Sequence, residues 1–332
     1  MNPIAYVAVV GAGIAGLACA TKLQQAGLKV RLFEKSGGPS GRMSTRRGNG
    51  WQCDHGAQYF TACHPDFRAE VARWQRSGVA GLWNPRLQVL GGSSLHDPAP
   101  ALERFVGIPG MTAPARLLSK GLALTTHSTL RQLQRQPDGW HLLSAEDGWL
   151  GERFDAVVLA VPAPQAVPLL QPLSAELAEL AGGVAMRGCW AAMVRIATPL
   201  QLPFDAAFVN HGPLRWIARD TSKPGRIGLE TWLLHASVEW SEAHLEQDAD
   251  SVAATLLKAF AQLGAQLGGP APQDWTVHRW RYADTASLLD NQCAWNAGLR
   301  LGLCGDWLNG GKVEGAWLSG RQLALQVLES SR

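Results

Sequence analysis

Short apolar runs separated by glycine-rich and polar segments open this chain. Residues 4–10 carry no charge and suit a strand that is buried on both faces. Helix-forming composition follows over residues 17–26 and stops at Gly27, and residues 29–34 predict a second strand. A strand, a turn, a helix and a strand within about 30 residues predict the opening of a parallel sheet.

Helical and strand-like patterns alternate along the rest of the chain. Helices are predicted for residues 66–78, 113–121, 251–267 and 313–328. Strands are predicted for residues 122–134, 139–145, 154–161, 190–196, 214–219, 228–235 and 299–304. The strands predicted for residues 122–134 and 139–145 meet at Pro137-Asp138-Gly139, a sequence that favours a hairpin. The segments between 190 and 235 predict an antiparallel sheet with one exposed face, and residues 81–109 predict irregular structure.

These elements predict two interleaved domains in an α/β fold. A nucleotide-binding domain is expected from three separated pieces, residues 1–64, 108–164 and 296–332. An inserted α+β domain is expected from residues 65–107 and 165–295. The length agrees, because 332 residues at about 150 residues per domain correspond to two domains.

Composition narrows the class of protein. The net charge is +3, and 46% of the residues are hydrophobic, so the chain can bury a large core and is not disordered. No basic block or acidic tail is present, which argues against nucleic-acid binding through bulk electrostatics. Glycine supplies 36 of the 332 residues, against about 7% on average, and this surplus predicts tight turns and close backbone approaches.

Cysteine spacing and the length of apolar runs bear on compartment. The 6 cysteines are scattered without a CxxC pair or metal-ligand spacing, which favours a reducing cytoplasm and argues against a metal site. The apolar residues before Thr21 mimic a signal-peptide core, but no Lys or Arg precedes them and glycines interrupt them. No segment is apolar over the roughly 18 residues of a membrane span. We therefore expect a soluble cytoplasmic protein without membrane or nucleic-acid partners.

A dinucleotide-binding motif lies between the first strand and the first helix. Gly11, Gly13 and Gly16 have the spacing that lets a backbone approach a pyrophosphate, whose charge is stabilised by the helix N-terminus. Glu34 ends the second strand, where its carboxylate can accept hydrogen bonds from ribose hydroxyls. The context of strand, turn and helix raises this motif above a glycine-rich turn without a nucleotide.

Three further segments favour FAD over NAD. Arg42 follows the second strand within Gly41-Arg42-Met43-Ser44 and offers a fork of donors to phosphate oxygens. Gly305 and Asp306 close an apolar strand, where the carboxylate can bind a sugar-alcohol chain. Residues 310–315 then begin a helix whose positive end would face an electron-rich ring. An NAD domain needs none of the C-terminal parts, whereas FAD uses them.

Several longer motifs resemble the flavin-containing amine oxidase superfamily. These are Gly11–Gly16, Gly41–Ser44, Asp155–Pro162, Gly305-Asp306 and Gly315-Ala-Trp-Leu-Ser-Gly320. More narrowly, others resemble the bacterial renalases: Asp54-His-Gly-Ala-Gln-Tyr-Phe-Thr61, Trp216-Ile-Ala-Arg219, Ser222-Lys-Pro-Gly-Arg226, Trp232-Leu-Leu-His-Ala236, His278-Arg-Trp-Arg-Tyr-Ala283 and Cys304-Gly-Asp-Trp307. The resemblance extends from residue 4 to residue 325. It implies an FAD-binding Rossmann-type domain of three-layer ββα architecture with an inserted α+β substrate domain.

The resemblance also implies an activity. Renalases are oxidases with non-covalent FAD that take a hydride from the 2- and 6-dihydro isomers of NAD(P)H, restore NAD(P)+ and pass two electrons to O2, which yields H2O2. Aromatisation of the dihydropyridine drives such a step, so orientation can carry much of the rate and no obligatory acid–base pair is expected. The implied partners are therefore a small dihydronicotinamide and O2, and no residue is assigned as catalytic.

Site residues follow from the same resemblance. The implied cofactor-binding residues are Gly11, Ala12, Gly13, Ile14, Gly16, Glu34, Lys35, Arg42, Gln58, Tyr59, Leu130, Gly305, Asp306 and Val313. Gln58 and Tyr59 would lie beside the flavin, and Leu130 would hold the adenine side through its backbone. The implied substrate-binding residues are Trp190, His235 and Trp216, and no metal ligand is implied.

Other functions remain open at this stage. An amine or carotenoid-type oxidoreductase on the same scaffold is the main alternative, although none of the 7 lysines lies in a motif matching the lysine that such amine oxidases place near the flavin. A paired aromatic cage for an amine is also unsupported, since Tyr59 and Tyr282 are the tyrosines outside the first strand. A flavin-free binding protein conflicts with the Arg42 and Asp306 motifs. An NAD-dependent dehydrogenase would leave the C-terminal elements unused.

Overall fold

The computed structural model describes residues 3–91, 102–265, 274–287 and 289–331. Its strands are β1 (Tyr6–Val10), β2 (Lys29–Phe33), β3 (Thr45–Gly48), β4 (Trp51–Asp54), β5 (Ala80–Leu82), β6 (Leu87–Leu90), β7 (Phe105–Gly107), β8 (Ala123–Thr125), β9 (Leu130–Gln136), β10 (Gly139–Ser144), β11 (Gly148–Trp149), β12 (Ala156–Leu159), β13 (Met186–Ile196), β14 (Ala206–Val209), β15 (Leu214–Arg219), β16 (Glu230–Ala236), β17 (Asp274–Thr285), β18 (Ala294–Asn296) and β19 (Leu301–Leu303). Its α-helices are α1 (Ile14–Gln25), α2 (Pro65–Arg76), α3 (Ala113–Leu118), α4 (Ala163–Leu170), α5 (Ala175–Gly182), α6 (Val238–Ala243), α7 (Ala249–Ala265) and α8 (Lys312–Glu329). Short 3-10 turns cover Asp220–Ser222 and Asp306–Leu308.

Six of the described strands form the first sheet, in the order β18-β19-β12-β1-β2-β8. β1 is parallel to both of its neighbours, and β18 is an antiparallel edge. Because β1 is apolar at successive positions, both of its faces are buried: Val7 and Val9 pack with α1 and α8, whereas Ala8 and Val10 pack towards the sheet β9-β10-β11. Helices, large sheet and small sheet make three layers, which confirms the predicted ββα architecture.

The second large sheet has the order β17-β13-β16-β15-β14-β6. One of its faces packs against α7, where Val194 meets Leu256 and Phe260 in a single hydrophobic cluster. The opposite face of β13 and β16 is also buried, since Met193 and Leu233 pack with Cys53 of β4. The prediction of one exposed face was therefore wrong, because β4 and its neighbours cover the side that was expected to meet solvent.

Other predictions were refined by the structure. The hairpin around Pro137-Asp138-Gly139 is confirmed as β9 and β10, but the first part of 122–134 is β8, which joins the first sheet instead. The expectation of irregular structure over 81–109 was wrong in part: β6 pairs with β14 of the second sheet, and β5 pairs with β7. These strands have 3 or 4 residues, which is too short for a clear alternation.

Some predictions reach beyond what the structure describes. Residues 92–101 of the segment 81–109 and residues 266–267 of the helix predicted over 251–267 lie outside the described residues. The proposed domain boundaries remain a prediction. In the part of the chain that is described, no helix has both the length and the apolar character needed to cross a membrane.

Candidate functional site

The glycine turn between β1 and α1 leaves an open space at the helix N-terminus. Gly11 has φ +99, and a Cβ on Gly16 would lie 2.0 Å from the Gly11 carbonyl oxygen, so both positions require glycine. A Cβ on Gly13 would instead meet no described atom within 4 Å. In the described part of the chain, no side chain caps α1 at Gly13. The first turn of α1, from Ile14, therefore faces a space suited to an anion.

Glu34 is fixed beside this turn at the end of β2. Its Oε2 accepts a hydrogen bond from the Ala12 amide at 2.9 Å, and its Oε1 accepts two from Ser36, at 2.9 Å and 2.7 Å. Leu130, at the start of β9, packs in the same hydrophobic cluster as Phe33 of β2. Lys35 is exposed to solvent. The structure thus places Glu34, Ala12 and Leu130 around the carboxyl end of β2, where parallel sheets bind nucleotides.

Arg42 and Asp306 meet although 264 residues separate them. The Arg42 guanidinium donates to both carboxylate oxygens of Asp306, at 2.9 Å and 2.5 Å. The Arg42 loop is held against the glycine turn, because the Ser40 amide donates to the Ala12 carbonyl oxygen at 3.0 Å. Asp306 follows Gly305 at the end of β19, shortly before Val313 in the first turn of α8. The predicted N-terminal and C-terminal cofactor segments therefore converge.

The segment 55–59, which follows β4, extends this site towards the second sheet. The Ala57 amide donates to the Arg42 carbonyl oxygen at 2.9 Å. The Gln58 amide nitrogen donates to the carbonyl oxygens of Asp54 and Gly56, at 2.6 Å and 3.1 Å. The ring of Tyr59 then lies 5.9 Å from that of Trp216, between centroids. The Arg42–Asp306 pair thus lies at one end of this segment. An aromatic cluster, formed by Tyr59, Trp83, Phe208 and Trp216, lies at the other end.

A buried cluster of four charges supports this segment, and sequence reasoning did not find it. Lys223 Nζ donates to Asp220 at 2.8 Å, to Asp54 at 3.2 Å and to the Gln58 amide oxygen at 3.3 Å. Arg226 also pairs with both carboxylates, and the four charged side chains have 0% exposure. The spacing Asp220-x-x-Lys223-x-x-Arg226 was the available signal, but it does not reveal that the partner is Asp54.

Burial and the neighbouring charges shift the pKa values of the two carboxylates in this cluster in opposite directions. Burial alone would raise the pKa of Asp54, but the attraction of Lys223 and Arg226 holds it below its usual range. Burial alone would lower the pKa of Lys223, but Asp220 and Asp54 raise it. Burial and the neighbouring Asp54 raise the pKa of Asp220. The attraction of the two cations therefore favours the ionised form of Asp54 in particular, and Lys223 is a bound cation that orients Gln58.

The three predicted substrate residues do not lie together. His235 and Trp216 are directly opposite each other in the register of β15 and β16, and Trp216 contacts Tyr59. Trp190 lies on the other face of β13, where its indole donates to the His244 carbonyl oxygen at 3.0 Å and packs in the cluster that includes α7. Its role in substrate binding remains a prediction, and its position away from segment 55–59 does not favour it.

His55, His278 and Trp280 form a cluster where this segment meets the second sheet, and none of the three was assigned to the site from the sequence. The ring of His55 stacks on Trp280 at 5.2 Å and meets His278 edge-on at 4.8 Å. The backbone carbonyl oxygen of His55 accepts from the Trp280 indole at 2.8 Å and from His235 Nε2 at 3.2 Å. Burial lowers the pKa of His55 and His235 to about 3 and that of His278 to about 4. These imidazoles are neutral at pH 7.

Comparisons with known proteins agree with this arrangement. Residues 9–74 match the model of an NAD(P)-binding Rossmann-like domain, and residues 79–328 match that of flavin containing amine oxidoreductases. A tRNA 5-methylaminomethyl-2-thiouridine biosynthesis bifunctional protein, MnmC of Magnetococcus marinus, is 30% identical over 321 residues, which cover 82% of this chain and 45% of that protein. Protoporphyrinogen oxidase 2 of Arabidopsis thaliana is 45% identical over 60 residues, or 18% of this chain and 12% of its own length. The chain thus spans less than half of these curated relatives.

Solved structures share the fold along nearly the whole chain. A putative protoporphyrinogen oxidase from Exiguobacterium has a TM-score of 0.78 at 12% identity, covering 99% of this chain and 100% of its own. Cyclohexylamine oxidase from Brevibacterium oxydans has a TM-score of 0.75 at 14% identity, covering 98% of this chain and 99% of its own. At such low identity, these likenesses establish the architecture alone.

Proposed function

This chain belongs to the family of flavin containing amine oxidoreductases, and from that premise we propose that it oxidises the 2- and 6-dihydro isomers of NAD(P)H to NAD(P)+, with O2 reduced to H2O2. Membership of this family supports the underlying activity, that of an FAD-dependent oxidoreductase that binds its flavin non-covalently. Bound FAD supplies the acceptor for two electrons and the means of passing them to O2.

The residues at the converging strand ends fit FAD. The open side of Gly13 admits a pyrophosphate at the N-terminus of α1. Oε2 of Glu34 accepts one hydrogen bond from the described residues, so it keeps acceptor capacity for a ribose hydroxyl. Arg42 and Asp306 pair with each other, but the guanidinium keeps N–H groups outside that pair for a phosphate oxygen, and the carboxylate keeps lone pairs for a sugar-alcohol hydroxyl. The N-terminus of α8, next to Val313, offers partial positive charge to an electron-rich ring.

The charge around the aromatic cluster carries the choice of substrate. The Arg104 guanidinium lies 5.5 Å from the ring centre of Tyr59, and Lys223 Nζ lies 5.5 Å from that of Trp83. Arg104 therefore already occupies a position against Tyr59 that an ammonium group would take, which disfavours such a substrate, whereas Lys223 is paired with two carboxylates. A neutral, flat dihydropyridine meets no such repulsion. This observation favours a dihydronicotinamide over an amine.

The protonation states on this side of the second sheet agree with the proposal. His55, His235 and His278 are uncharged at neutral pH because of their lowered pKa values. Lys223 is held by two carboxylates and does not act as a base. Hydride loss from a dihydropyridine requires no proton acceptor in the protein, because the ring becomes aromatic. The chain's own residues would bind and orient the substrate and exclude water.

The proposal is tested by anaerobic titration of the FAD-loaded protein. Purified 2-dihydro and 6-dihydro isomers of NAD(P)H are added separately, alongside ordinary 4-dihydro NADH and a set of primary amines. We expect the isomers to bleach the visible flavin absorbance and amines to leave it unchanged. After admission of O2, H2O2 should form in an amount equal to the substrate consumed. Bleaching by amines without bleaching by the isomers would replace this proposal with amine oxidation.

A further inference from the structure

Trp216 has an indole N–H without a hydrogen-bond partner among the residues that the structure describes. The side chain is 5% exposed, and its Nε1 is buried with no hydrogen-bond acceptor among the described residues. Leaving such a donor unpaired costs about 1–3 kcal/mol, and buried polar groups in native proteins are normally paired. The unpaired group therefore needs an explanation.

Eight other tryptophans of the described chain donate their indole N–H to an acceptor in the protein. Acceptors at 2.7–3.1 Å serve Trp74 (Glu70), Trp83 (Ser222), Trp140 (Leu299), Trp190 (His244), Trp232 (Glu230), Trp280 (His55), Trp295 (Ser330) and Trp307 (Val161). Within the described residues, Trp216 is the tryptophan whose buried Nε1 lacks one. The simplest explanation is that a bound ligand supplies the hydrogen-bond acceptor for the Trp216 indole.

The surroundings of Trp216 define the chemistry of that acceptor. Its ring contacts Tyr59 at 5.9 Å, Phe208 at 4.8 Å and Trp83 at 6.5 Å between centroids. Tyr59 and Phe208 are half-buried, so the cluster reaches the surface on their side. The indole N–H is an uncharged donor between flat aromatic rings, which suits a carbonyl oxygen attached to a flat ring.

We infer that Trp216 Nε1 donates a hydrogen bond to the carboxamide oxygen of the nicotinamide ring and thereby selects substrates that carry a carbonyl on that ring. The inference rests on the proposed function, because the carboxamide belongs to the dihydronicotinamide. It is independent of the chemistry of hydride transfer, since the oxidised product carries the same carboxamide. Trp216 is in this sense a binding residue that determines specificity.

The test compares ligands that differ at the carbonyl. NAD+, 3-acetylpyridine adenine dinucleotide, which keeps a ring carbonyl, and 3-methylpyridinium adenine dinucleotide, which lacks one, are titrated into the oxidised holoenzyme. Dissociation constants are read from the change in flavin absorbance. The wild type should bind the two carbonyl ligands about tenfold more tightly than the methyl ligand, as expected for one net hydrogen bond.

The variant Trp216→Phe keeps an aromatic wall and removes the N–H. We expect it to bind all three ligands with similar affinity, because the tenfold preference disappears while affinity for the methyl ligand changes little. Trp295→Phe, which removes an indole donor that bonds Ser330 away from the cluster, should keep the full preference. If Trp216→Phe does not fold, Trp216→Leu serves as the second variant with the same expectation.

The outcomes separate the inference from the proposed function. A tenfold preference that persists in Trp216→Phe overturns the inference, and so does a uniform loss for all three ligands; both leave the activity of the wild type on dihydronicotinamides intact. If no dihydronicotinamide isomer bleaches the wild-type flavin, the proposed function fails first and the inference fails with it. Loss of the preference in the variant, with bleaching in the wild type, supports both.

Discussion

At the scale of single residues, Gly13 and Gly16 at the start of α1 have different surroundings. A Cβ on Gly13 would enter open space, whereas a Cβ on Gly16 would lie 2.0 Å from the Gly11 carbonyl oxygen. Gly13 has φ −72 and ψ 178, which any residue adopts. The sequence motif contains both positions, but in the structure Gly13 borders open space and Gly16 is required for packing.

This difference makes a paired prediction. Gly13→Ala should keep the fold of the apoprotein, with a cost of at most about 1 kcal/mol for an alanine at the helix cap, and should lose FAD because its methyl group occupies the space for the pyrophosphate. Gly16→Ala should lower the free energy of unfolding by about 1–3 kcal/mol, since the backbone must move. Flavin content after purification and urea unfolding of the apoprotein measure the two effects.

Normal flavin content in Gly13→Ala would contradict the assignment of this space to the cofactor. An unchanged unfolding midpoint in Gly16→Ala would contradict the close approach between the turn and the helix. Because both variants differ from the wild type by a single methyl group, each is the control for the other.

At the scale of elements, the contact between α1 and α8 brings the two ends of the chain together. A Cβ on Gly320 of α8 would lie 2.0 Å from the Ala15 carbonyl oxygen of α1. Gly320→Ala should therefore destabilise the protein by about 1–3 kcal/mol, because the helices must separate. Gly182→Ala in α5 meets no described atom within 4 Å and should instead stabilise by about 0.5–1 kcal/mol. Thermal and urea unfolding measure the change in stability of each variant. Equal changes in Gly320→Ala and Gly182→Ala would contradict the close packing of α1 against α8.

The histidines between segment 55–59 and the second sheet predict a pH dependence of stability. Burial, and then His278 and Arg46, lower the pKa of His55 to about 3, and burial together with Arg215 lowers that of His235 to about 3. In the unfolded chain both titrate near about 6.5. Between these values the unfolded state binds protons that the folded state does not. The free energy of unfolding therefore falls as pH decreases below about 6.5, by up to about 1.4 kcal/mol per pH unit for each histidine.

Urea unfolding at pH 7 and pH 5 measures this dependence. His235→Gln should reduce the slope by one proton, because its amide can still donate to the His55 carbonyl oxygen without titrating. His211→Gln, at an exposed position, should leave the slope unchanged. A wild type whose stability does not fall between pH 7 and pH 5 would show that these imidazoles are not held neutral.

At the scale of the whole molecule, the buried charge cluster joins parts of the chain that are far apart in sequence. Lys223 and Asp54 are 169 residues apart, and Arg226 also donates to the Gly107 carbonyl oxygen at 2.7 Å. Asp54 ends β4, Gly107 ends β7, and both cations lie between β15 and β16 of the second sheet. The cluster therefore holds segment 55–59 in place between the two large sheets.

Removal of one cation should be costly. Lys223→Met leaves two buried carboxylates with Arg226 alone, so we expect a loss of about 3–5 kcal/mol in the free energy of unfolding. Arg153→Met, which breaks an exposed ion pair with Asp138, should leave the unfolding midpoint unchanged. Urea unfolding followed by tryptophan fluorescence measures both, and a small effect of Lys223→Met would mean that the cluster is not closed to water.

The sequence by itself determined the features that depend on neighbours along the chain. The strand–turn–helix–strand opening, the hairpin at Pro137-Asp138-Gly139 and the terminal helix were predicted because periodicity, glycine spacing and turn residues act within about 30 residues. The family resemblance added the convergence of Arg42 and Asp306, which no local pattern contains.

Tertiary structure alone decided what depends on register and on distant partners. The face of β13 that carries Trp190 could not be assigned from alternation, because both faces are buried and both read as apolar. The charge cluster was also hidden, since Asp54 is paired by residues more than 160 positions away. The unpaired indole of Trp216 became visible only when its neighbours were in place, because hydrogen bonding of a buried group is a property of the packed fold.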